Sequence, residues 1–290
     1  MEKKDKIDCC FLIPNNSKKS YQKLSETYSA IEPPTWSLLL AQSCRSQGYD
    51  VGILDALAEN LDDKEVAKRV KKENPRLVCI VVYGQNPNSG TVNMSGTVNI
   101  ANRLKKEKIK TPVCVVGSHV QALPYQVLKE ESSIDMVCTN EGVYTLWNLL
   151  KEDLSLDNIQ NLTNVKGLGF RIDGEPHLNT PEKIVPQNRM DVDLPGYAWD
   201  LLPYKDKPLD LYRAHFWHAE YKHENRTPFA ALYTSLGCQF KCSFCMINIL
   251  NRDNNDEIGV ASNYSKMRFW SPEFIINEFD KLVSMGVKTL

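Results

Sequence analysis

Three cysteines on one short segment carry the clearest chemistry of the chain. Cys238, Cys242 and Cys245 follow the spacing C-x3-C-x2-C within residues 234–246. Thiolates on one loop can converge on an inorganic centre, and they suit soft metals and iron–sulfur clusters. A structural zinc site normally has four ligands, and His223 is the nearest further candidate. Three thiolates on a four-iron cluster leave one iron open for a substrate, so the spacing favours a cluster over zinc.

The same segment closely resembles the signature of the radical S-adenosylmethionine family, in which an aromatic residue, here Phe244, precedes the third cysteine. The resemblance implies that the three cysteines hold a [4Fe-4S] cluster whose fourth iron takes the amino and carboxylate groups of S-adenosylmethionine. It further implies that Phe244 packs by the adenine, and that one electron cleaves the sulfonium to methionine and a 5'-deoxyadenosyl radical. Gly237 permits a tight turn beside a bulky cluster, and residues 229–233 read as a strand that leads into a barrel's first catalytic loop. A zinc loop and buried cysteines of no catalytic use are the alternatives.

Composition narrows the class of protein. The 290 residues are 42% hydrophobic, which is enough for two domains, and the net charge of -1 gives no sign of nucleic-acid binding. The chain has nine cysteines and no signal peptide, so a secreted disulfide scaffold is not expected. Without a long apolar run, a membrane span is not expected either. A reducing cytoplasm fits this composition and an oxygen-labile cluster.

The remaining cysteines have apolar neighbours and lack metal-ligand spacing. Free cysteine commonly behaves as a small buried hydrophobic residue. We therefore expect these six to be buried and assign none of them to a site: Cys9, Cys10, Cys44, Cys79, Cys114 and Cys138.

Residues 1–150 alternate between strand and helix patterns, which predicts an α/β fold with a doubly wound parallel sheet of the Rossmann or flavodoxin-like type. The predicted strands are 7–13, 51–54, 77–83, 112–116 and 134–138, and the predicted helices are 36–44, 62–72, 91–105, 124–129 and 143–150. Such a sheet binds its ligand beyond the carboxyl ends of its strands. The loops at that edge are 14–17, 84–89, 117–119 and 139–142, and they are rich in Gly, Asn, Ser and Thr. They suit a large polar cofactor, but no GxGxxG follows the first strand, which disfavours a dinucleotide.

The order of four segments resembles the cobalamin-binding domain that is fused before radical S-adenosylmethionine barrels. The segments are 32–40 (EPPTWSLLL), 49–55 (YDVGILD), 115–124 (VVGSHVQALP) and 140–146 (NEGVYTL). The resemblance extends over essentially the whole chain and implies cobalamin as a cofactor. It places these loop residues in the cobalamin pocket: Gly84, Gln85, Gly117, Ser118, His119, Glu141 and Gly142.

One departure concerns the cobalt ligand. Cobalamin domains of mutases carry an Asp-x-His-x-x-Gly loop after the first strand, whereas residues 14–18 read Pro-Asn-Asn-Ser-Lys. The resemblance to the fused family then implies cobalamin without a protein histidine on cobalt, and the alternative is a Rossmann domain that binds nothing. His119 either lines the pocket or is a loop histidine satisfied by its neighbours, rather than a cobalt ligand.

Residues 151–225 read as a linker. Residues 167–176 predict a β-hairpin around an Asp-Gly turn, and 193–203 is punctuated by proline with aromatic anchors. His215 and His218 are three residues apart and invite a metal hypothesis, but packing against the cluster loop or the neighbouring domain is favoured.

Residues 226–290 read as the start of a (β/α) barrel. Residues 251–264 are polar and predict an insertion, and Ser271 and Pro272 predict the N-terminus of a helix that ends near Met285. Residues 287–290 predict the next strand. The family's barrel has further strand–helix units, so we expect the chain to be a fragment that is inactive by itself.

Taken together, the resemblances imply a cobalamin-dependent radical S-adenosylmethionine enzyme that methylates an unactivated carbon of a small molecule. They also imply an electron donor of the flavodoxin or ferredoxin type. Radical ring closure or rearrangement is an alternative reaction. Two rivals are a non-enzymatic sensor with cobalamin and zinc, and a methylthiotransferase-like enzyme with a second cluster on cysteines such as Cys9, Cys44 and Cys79.

Overall fold

The computed structural model describes residues 6–16, 28–83, 90–155, 159–250, 257–262 and 266–290. Gly84 and Gln85, which the sequence assigned to the cobalamin pocket, lie outside these ranges. Most of the expected insertion at 251–264 also lies outside them.

Nine strands are present in the described residues. They are β1 (Cys9–Ile13), β2 (Val51–Asp55), β3 (Leu77–Val82), β4 (Val113–Gly117), β5 (Met136–Cys138), β6 (Leu168–Ile172), β7 (Glu175–Leu178), β8 (Ser235–Gly237) and β9 (Met267–Phe269).

Nine α-helices alternate with these strands in the described residues. They are α1 (Thr35–Ser46), α2 (Asp63–Glu73), α3 (Gly90–Lys106), α4 (Ser118–Ala122), α5 (Pro124–Glu130), α6 (Val143–Leu149), α7 (Met190–Asp193), α8 (Ile247–Leu250) and α9 (Pro272–Ser284). Short 3-10 turns occupy Ile159–Asn164, Gln187–Arg189, Trp199–Leu201, Phe216–Ala219 and His223–Asn225.

The main sheet has seven strands in the order β2-β1-β3-β4-β5-β6-β7. The first five strands of this order run parallel, with β3 buried along its whole length. This is the flavodoxin-like order, so the predicted doubly wound fold is confirmed. The order reverses between β1 and β3, and a ligand crevice is expected beyond the carboxyl ends of these strands.

The hairpin of β6 and β7 is present, with Asp173 and Gly174 at positive φ in its turn. Because β6 pairs antiparallel with β5, the hairpin extends the main sheet. The sequence predicted the hairpin but placed it in a linker, since nothing in its pattern identified β5 as its partner.

Apolar side chains cover both faces of the sheet, as parallel strands require. On one face, α2, α3 and α5 pack on residues such as Ile80 and Val115. On the other, α1 and α6 pack on residues such as Cys79 and Val116. This second cluster continues without interruption to Trp270 and Leu282 in the carboxyl-terminal part of the chain.

The segment 190–202 lies between α1 and the carboxyl-terminal elements. On the α1 side, the Ser43 hydroxyl donates to the Asp193 carbonyl over 2.6 Å. On the other side, the Trp199 indole donates to the buried Glu278 carboxylate of α9 over 3.0 Å, and the Trp270 indole donates to the Leu194 carbonyl over 2.9 Å. The aromatic anchors of this segment therefore join the two ends of the chain through one core.

The expected strand at 229–233 is not formed, which corrects the sequence prediction. Phe229 makes a single parallel bridge with Thr289, and the residues around them belong to no strand. The Tyr197 hydroxyl accepts from the Tyr233 amide over 2.9 Å and donates to the Tyr233 carbonyl over 3.0 Å. This side chain satisfies the backbone groups that a neighbouring strand would have used. Pairing occurs further along, where β8 runs antiparallel to β9.

The helix predicted after residue 270 is confirmed as α9. The Ser271 hydroxyl accepts from the Phe274 amide over 3.2 Å, and Pro272 occupies the first turn. Gly286, at φ 80°, follows the end of the helix.

Asp55, at the carboxyl end of β2, is buried and accepts a hydrogen bond of 2.9 Å from the Tyr212 hydroxyl. Burial raises the pKa of Asp55 from 3.8 to about 6, against hydrogen bonds from the Ala58 amide, Tyr212 and the Leu57 amide that lower it. The folded state therefore holds this proton more tightly than the unfolded state, and ionisation between pH 3.8 and about 6 destabilises the fold.

In the wild type, the free energy of unfolding should fall by about 3 kcal/mol as pH rises from 3.8 to about 6, because Asp55 ionises. We predict that Asp55→Asn shows no such fall. Urea denaturation at several pH values from 4 to 7 measures the free energy of unfolding of both proteins. The difference between wild type and variant at each pH gives the contribution of Asp55. The exposed Asp206→Asn serves as the control and should keep the wild-type pH dependence. Equal slopes for wild type and Asp55→Asn would contradict the assignment.

Candidate functional site

The backbone at the carboxyl edge of the sheet is closely packed around two glycines. Gly117 ends β4 at φ 153°, and a Cβ there would collide with the Val82 carbonyl oxygen of β3. A Cβ on Gly90 would lie 2.8 Å from the same oxygen and would collide with the Ser118 hydroxyl. Glycine is therefore required at both positions, because β3, β4 and the start of α3 pack too closely there for a side chain.

Ser118 has a buried hydroxyl that finds no hydrogen-bond partner within the described part of the chain. An unpartnered buried hydroxyl costs about 1–3 kcal/mol, and such groups commonly serve a ligand. The orphaned Ser118 hydroxyl, at the carboxyl edge of the sheet, fits a polar cofactor such as cobalamin.

His119 follows directly and is half-buried. Its Nδ1 lies 3.0 Å from the Thr91 hydroxyl, which connects α4 to the start of α3. Desolvation lowers the pKa of His119, so the neutral imidazole is favoured at pH 7. The contact with Thr91 uses one ring nitrogen inside the protein, in keeping with the sequence interpretation of a satisfied loop histidine.

The loop between β5 and α6 is held by its own side chains. Gly142 adopts φ 93° and its amide donates to the Asn140 side chain over 2.9 Å. The Glu141 carboxylate is buried and accepts from Arg268 over 2.9 Å and 3.2 Å and from the Val185 amide over 2.5 Å. The charge of Glu141 is thus paired with a residue of β9.

The three cysteines of the C-x3-C-x2-C segment follow β8 directly and reach the surface. Cys242 is exposed, while Cys238 and Cys245 are partly exposed. The Phe240 amide donates to the Cys238 sulfur over 3.4 Å, and the Cys245 amide donates to the Cys242 carbonyl over 3.1 Å. Amide–sulfur hydrogen bonds of this kind tune iron–sulfur clusters.

No three His, Cys, Asp or Glu side chains in the described ranges are gathered as ligands of one metal ion. The three thiols are accessible on one short loop, and Phe244 beside them is 82% exposed.

The other six cysteines are buried, as predicted. Cys9, Cys79, Cys114 and Cys138 lie on four adjacent strands of the sheet, and the Cys114 and Cys138 sulfurs are 3.7 Å apart. Burial raises the pKa of Cys9 to about 11. Neutral thiols inside a close-packed core are poor cluster ligands, so the structure offers no support for a second cluster of the methylthiotransferase type.

The histidines upstream of the cysteine loop lie in an aromatic group. The His215 ring stacks on Trp217 at 4.2 Å and its Nε2 lies 3.6 Å from a Glu32 carboxylate oxygen. His223 packs edge-on against Phe216 at 4.7 Å. These contacts are packing contacts, which the sequence had favoured over a metal site for His215 and His218.

The family model of the B12 binding domain matches residues 22–150. The chain contains a B12-binding domain. The matched range includes Gly90, Gly117, Ser118 and the loop of Glu141.

The chain is also similar to several known proteins. An uncharacterized methyltransferase of Pyrococcus horikoshii, PH0819, is 30% identical over 213 residues, which are 73% of this chain and 40% of the relative. Two structures of the radical S-adenosylmethionine methyltransferase TsrM from Kitasatospora setae superpose on the fold. One has tryptophan substrate and a S-adenosylmethionine analogue bound (TM-score 0.60, 15% identity, 96% of this chain, 46% of TsrM). The other has cobalamin and a [4Fe-4S] cluster bound (TM-score 0.59, 14% identity, 97% and 48%).

A third structure, the apo form of the cobalamin-dependent S-adenosylmethionine radical enzyme OxsB, superposes with a TM-score of 0.62 at 18% identity, covering 97% of this chain and 32% of OxsB. At these identities the structural similarity concerns the fold. The chain spans less than half the length of each of these relatives. No helix in the described ranges is long and apolar enough to cross a membrane.

Sequence reasoning missed Arg268. Arg268 is 4% exposed and pairs with Glu141. Its other partner, the Val185 carbonyl, is 83 residues away in the sequence. A signal was present, because Arg268 interrupts the apolar run Met267 to Trp270. A charged residue inside such a run requires a buried partner.

We predict that iodoacetamide alkylates Cys238, Cys242 and Cys245 in the native, cluster-free chain and leaves the six buried thiols unmodified. Their close packing excludes the reagent, and thiolate formation is suppressed in the core. Peptide mass spectrometry counts the labels, and a urea-denatured sample in which all nine cysteines react is the control. Native labelling of Cys79 or Cys114 would contradict the buried assignment.

Proposed function

We propose that this chain is the cobalamin-binding and cluster-binding part of a radical S-adenosylmethionine enzyme that methylates an unactivated carbon of a small molecule. The observation that carries the proposal is the position of the cysteine loop. It follows β8, which pairs with β9, and Arg268 of β9 is bonded to Glu141 of the B12-binding domain. This connection between the accessible cysteine trio and the B12-binding domain supports the proposal.

In this proposal Cys238, Cys242 and Cys245 hold a [4Fe-4S] cluster and Phe244 covers the adenine of S-adenosylmethionine. Bound together, these groups supply a radical that abstracts hydrogen from carbon, and cobalamin supplies a methyl group. The chain's own residues contribute orientation. The Phe240 amide and the short turn at Gly237, φ 85°, set the direction in which the Cys238 sulfur leaves β8.

On the cobalamin side, Gly117, Ser118 and Gly142 provide the backbone edge and the hydroxyl that contact the cofactor. The loop after β1 is tied to the protein instead of presenting a ligand. The Asn16 side chain donates to the Val92 carbonyl over 2.5 Å and accepts from the Ser95 hydroxyl over 2.8 Å. Because residues 14–18 contain no histidine, this segment would offer no imidazole to cobalt.

Methyl transfer is favoured over ring closure or rearrangement because PH0819 and TsrM are both named methyltransferases. The reaction also needs single electrons, which we assign to a flavodoxin-type or ferredoxin-type donor. The small-molecule substrate is expected to enter on the exposed side of the cysteine loop, where Phe240 and Phe244 are 62% and 82% exposed.

The full chain, reconstituted anaerobically with iron and sulfide, tests the proposal. We expect a brown [4Fe-4S] chromophore and binding of hydroxocobalamin, the two properties that this part of the enzyme would carry. Cys242→Ser should lose the cluster while retaining hydroxocobalamin, because the two cofactors use different elements. Ser243→Ala, an exposed neighbour in the same loop, should behave as wild type. Stoichiometric zinc without iron or sulfide would overturn the enzyme assignment in favour of a sensor.

We further predict opposite effects of Ser118→Ala on stability and on cofactor affinity. Removing an unpartnered buried hydroxyl should stabilise the apo protein by about 1 kcal/mol, whereas losing a hydrogen bond to cobalamin should raise the Kd about 3- to 10-fold. Urea denaturation and hydroxocobalamin titration measure the two effects. Ser133→Ala, which also removes an unpartnered buried hydroxyl but precedes β5 at the opposite edge, should stabilise without changing the Kd. Unchanged affinity in Ser118→Ala would remove Ser118 from the cobalamin site.

A further inference from the structure

We infer that Glu141 and Arg268 are a positioning pair that fixes the geometry between the cobalamin edge and the cysteine loop. This inference rests on the proposed function and deepens it. The sequence placed Glu141 in the cobalamin pocket, whereas its carboxylate oxygens are occupied by Arg268 and the Val185 amide. The role assigned here is therefore orientation of one cofactor site relative to the other, without contact with either cofactor.

Arg268 and Glu141 form a bidentate ion pair. Arg268 Nη2 donates to Glu141 Oε2 over 2.9 Å, and Nη1 donates to Oε1 over 3.2 Å. Nη1 also donates to the Val185 carbonyl over 2.6 Å. Two parallel hydrogen bonds between planar groups fix an angle as well as a distance, which a single contact cannot do.

From Arg268 the connection to the cysteines is short. Arg268 pairs with Leu236 across the antiparallel strands β9 and β8, and Met267 pairs with Gly237. Cys238 follows Gly237 directly. A shift of the Arg268 side chain therefore moves the backbone that carries the first cysteine.

From Glu141 the connection to the cofactor edge is equally short. The Trp36 indole donates to the Glu141 carbonyl over 3.1 Å, and the neighbouring Asn140 side chain accepts from the Gly142 amide and the Thr145 hydroxyl. These bonds hold the backbone on both sides of Glu141. The carboxylate is consequently a fixed point at the end of β5.

Burial indicates that the pair does more than stabilise the fold. The side chains of Arg268 and Glu141 are only 5% and 9% exposed. A buried ion pair is commonly no more stabilising than apolar residues of similar volume, because both charges lose their hydration. The arrangement even leaves Arg268 Nε without a partner among the described residues. Apolar packing would not fix the angle between these two side chains, whereas the bidentate ion pair does.

A second ion pair offers a matched control. Arg45 of α1 and Asp200 also join the amino-terminal part to the later chain, with a bidentate contact of 2.9 Å and 3.1 Å. Their side chains are 35% and 64% exposed, and neither leads to the cysteine loop. Breaking this pair removes an ion pair of the same chemistry without disturbing β8 or β9.

The experiment compares Arg268→Lys with Arg45→Lys in the full chain. Lysine retains the charge but cannot form the bidentate contact. In the apo protein, amide hydrogen exchange of residues 235–237 and 267–269 should accelerate about 10- to 100-fold in Arg268→Lys, because a charge-assisted hydrogen bond is lost. Arg45→Lys should leave exchange in these strands at the wild-type rate.

In the loaded chain, pulsed EPR measures the distance between the reduced cluster and cob(II)alamin. Arg268→Lys should broaden the distance distribution while cluster content and hydroxocobalamin affinity stay at wild-type levels, and Arg45→Lys should not broaden it. If the pair is merely structural, Arg268→Lys should lower the melting temperature and leave the distance distribution narrow. That result would overturn this inference and leave the proposed function standing. A wild-type chain that loads neither cofactor would overturn the proposed function and, with it, the inference.

Discussion

The structure depends on one apolar core that does not stop at the sheet. Tyr197 and Trp199 stack on each other at 5.1 Å between α1 and α9, and Tyr197 reaches Trp270 at 6.5 Å. Because these rings are buried together, the elements that carry the cysteine loop cannot turn independently of the B12-binding domain. A reaction that uses two large cofactors requires such a restriction, since small displacements of reacting groups cost large factors in rate.

The nine cysteines show how environment decides the chemistry of one residue type. Six lie in a close-packed interior, where desolvation raises the pKa of Cys9 to about 11 and that of Cys44 further still. Three lie on a surface loop, where their sulfurs are accessible. The buried Ser118 hydroxyl also depends on its environment, because it is costly unless a ligand provides the hydrogen bond that the described residues do not.

Local patterns in the sequence predicted much of the fold. Apolar runs located β1 to β5, Asp62 and Glu65 form the capping box that begins α2, and Ser271 caps α9. Non-local features were not predictable in this way. The pairing of β6 with β5, and the use of the Tyr197 hydroxyl where a strand at 229–233 was expected, depend on distant partners. For the site, the spacing of the cysteines was readable, but the partner of Glu141 was not, because it lies 127 residues away.

The central claim is that three cysteines hold a cluster with one iron open to S-adenosylmethionine. EPR of the reduced, reconstituted chain with and without S-adenosylmethionine tests it most directly. The account predicts a [4Fe-4S]+ signal whose g-values shift when S-adenosylmethionine is added, because its amino and carboxylate groups bind the open iron. A signal that does not respond to S-adenosylmethionine, or a chain that carries no cluster, would contradict it.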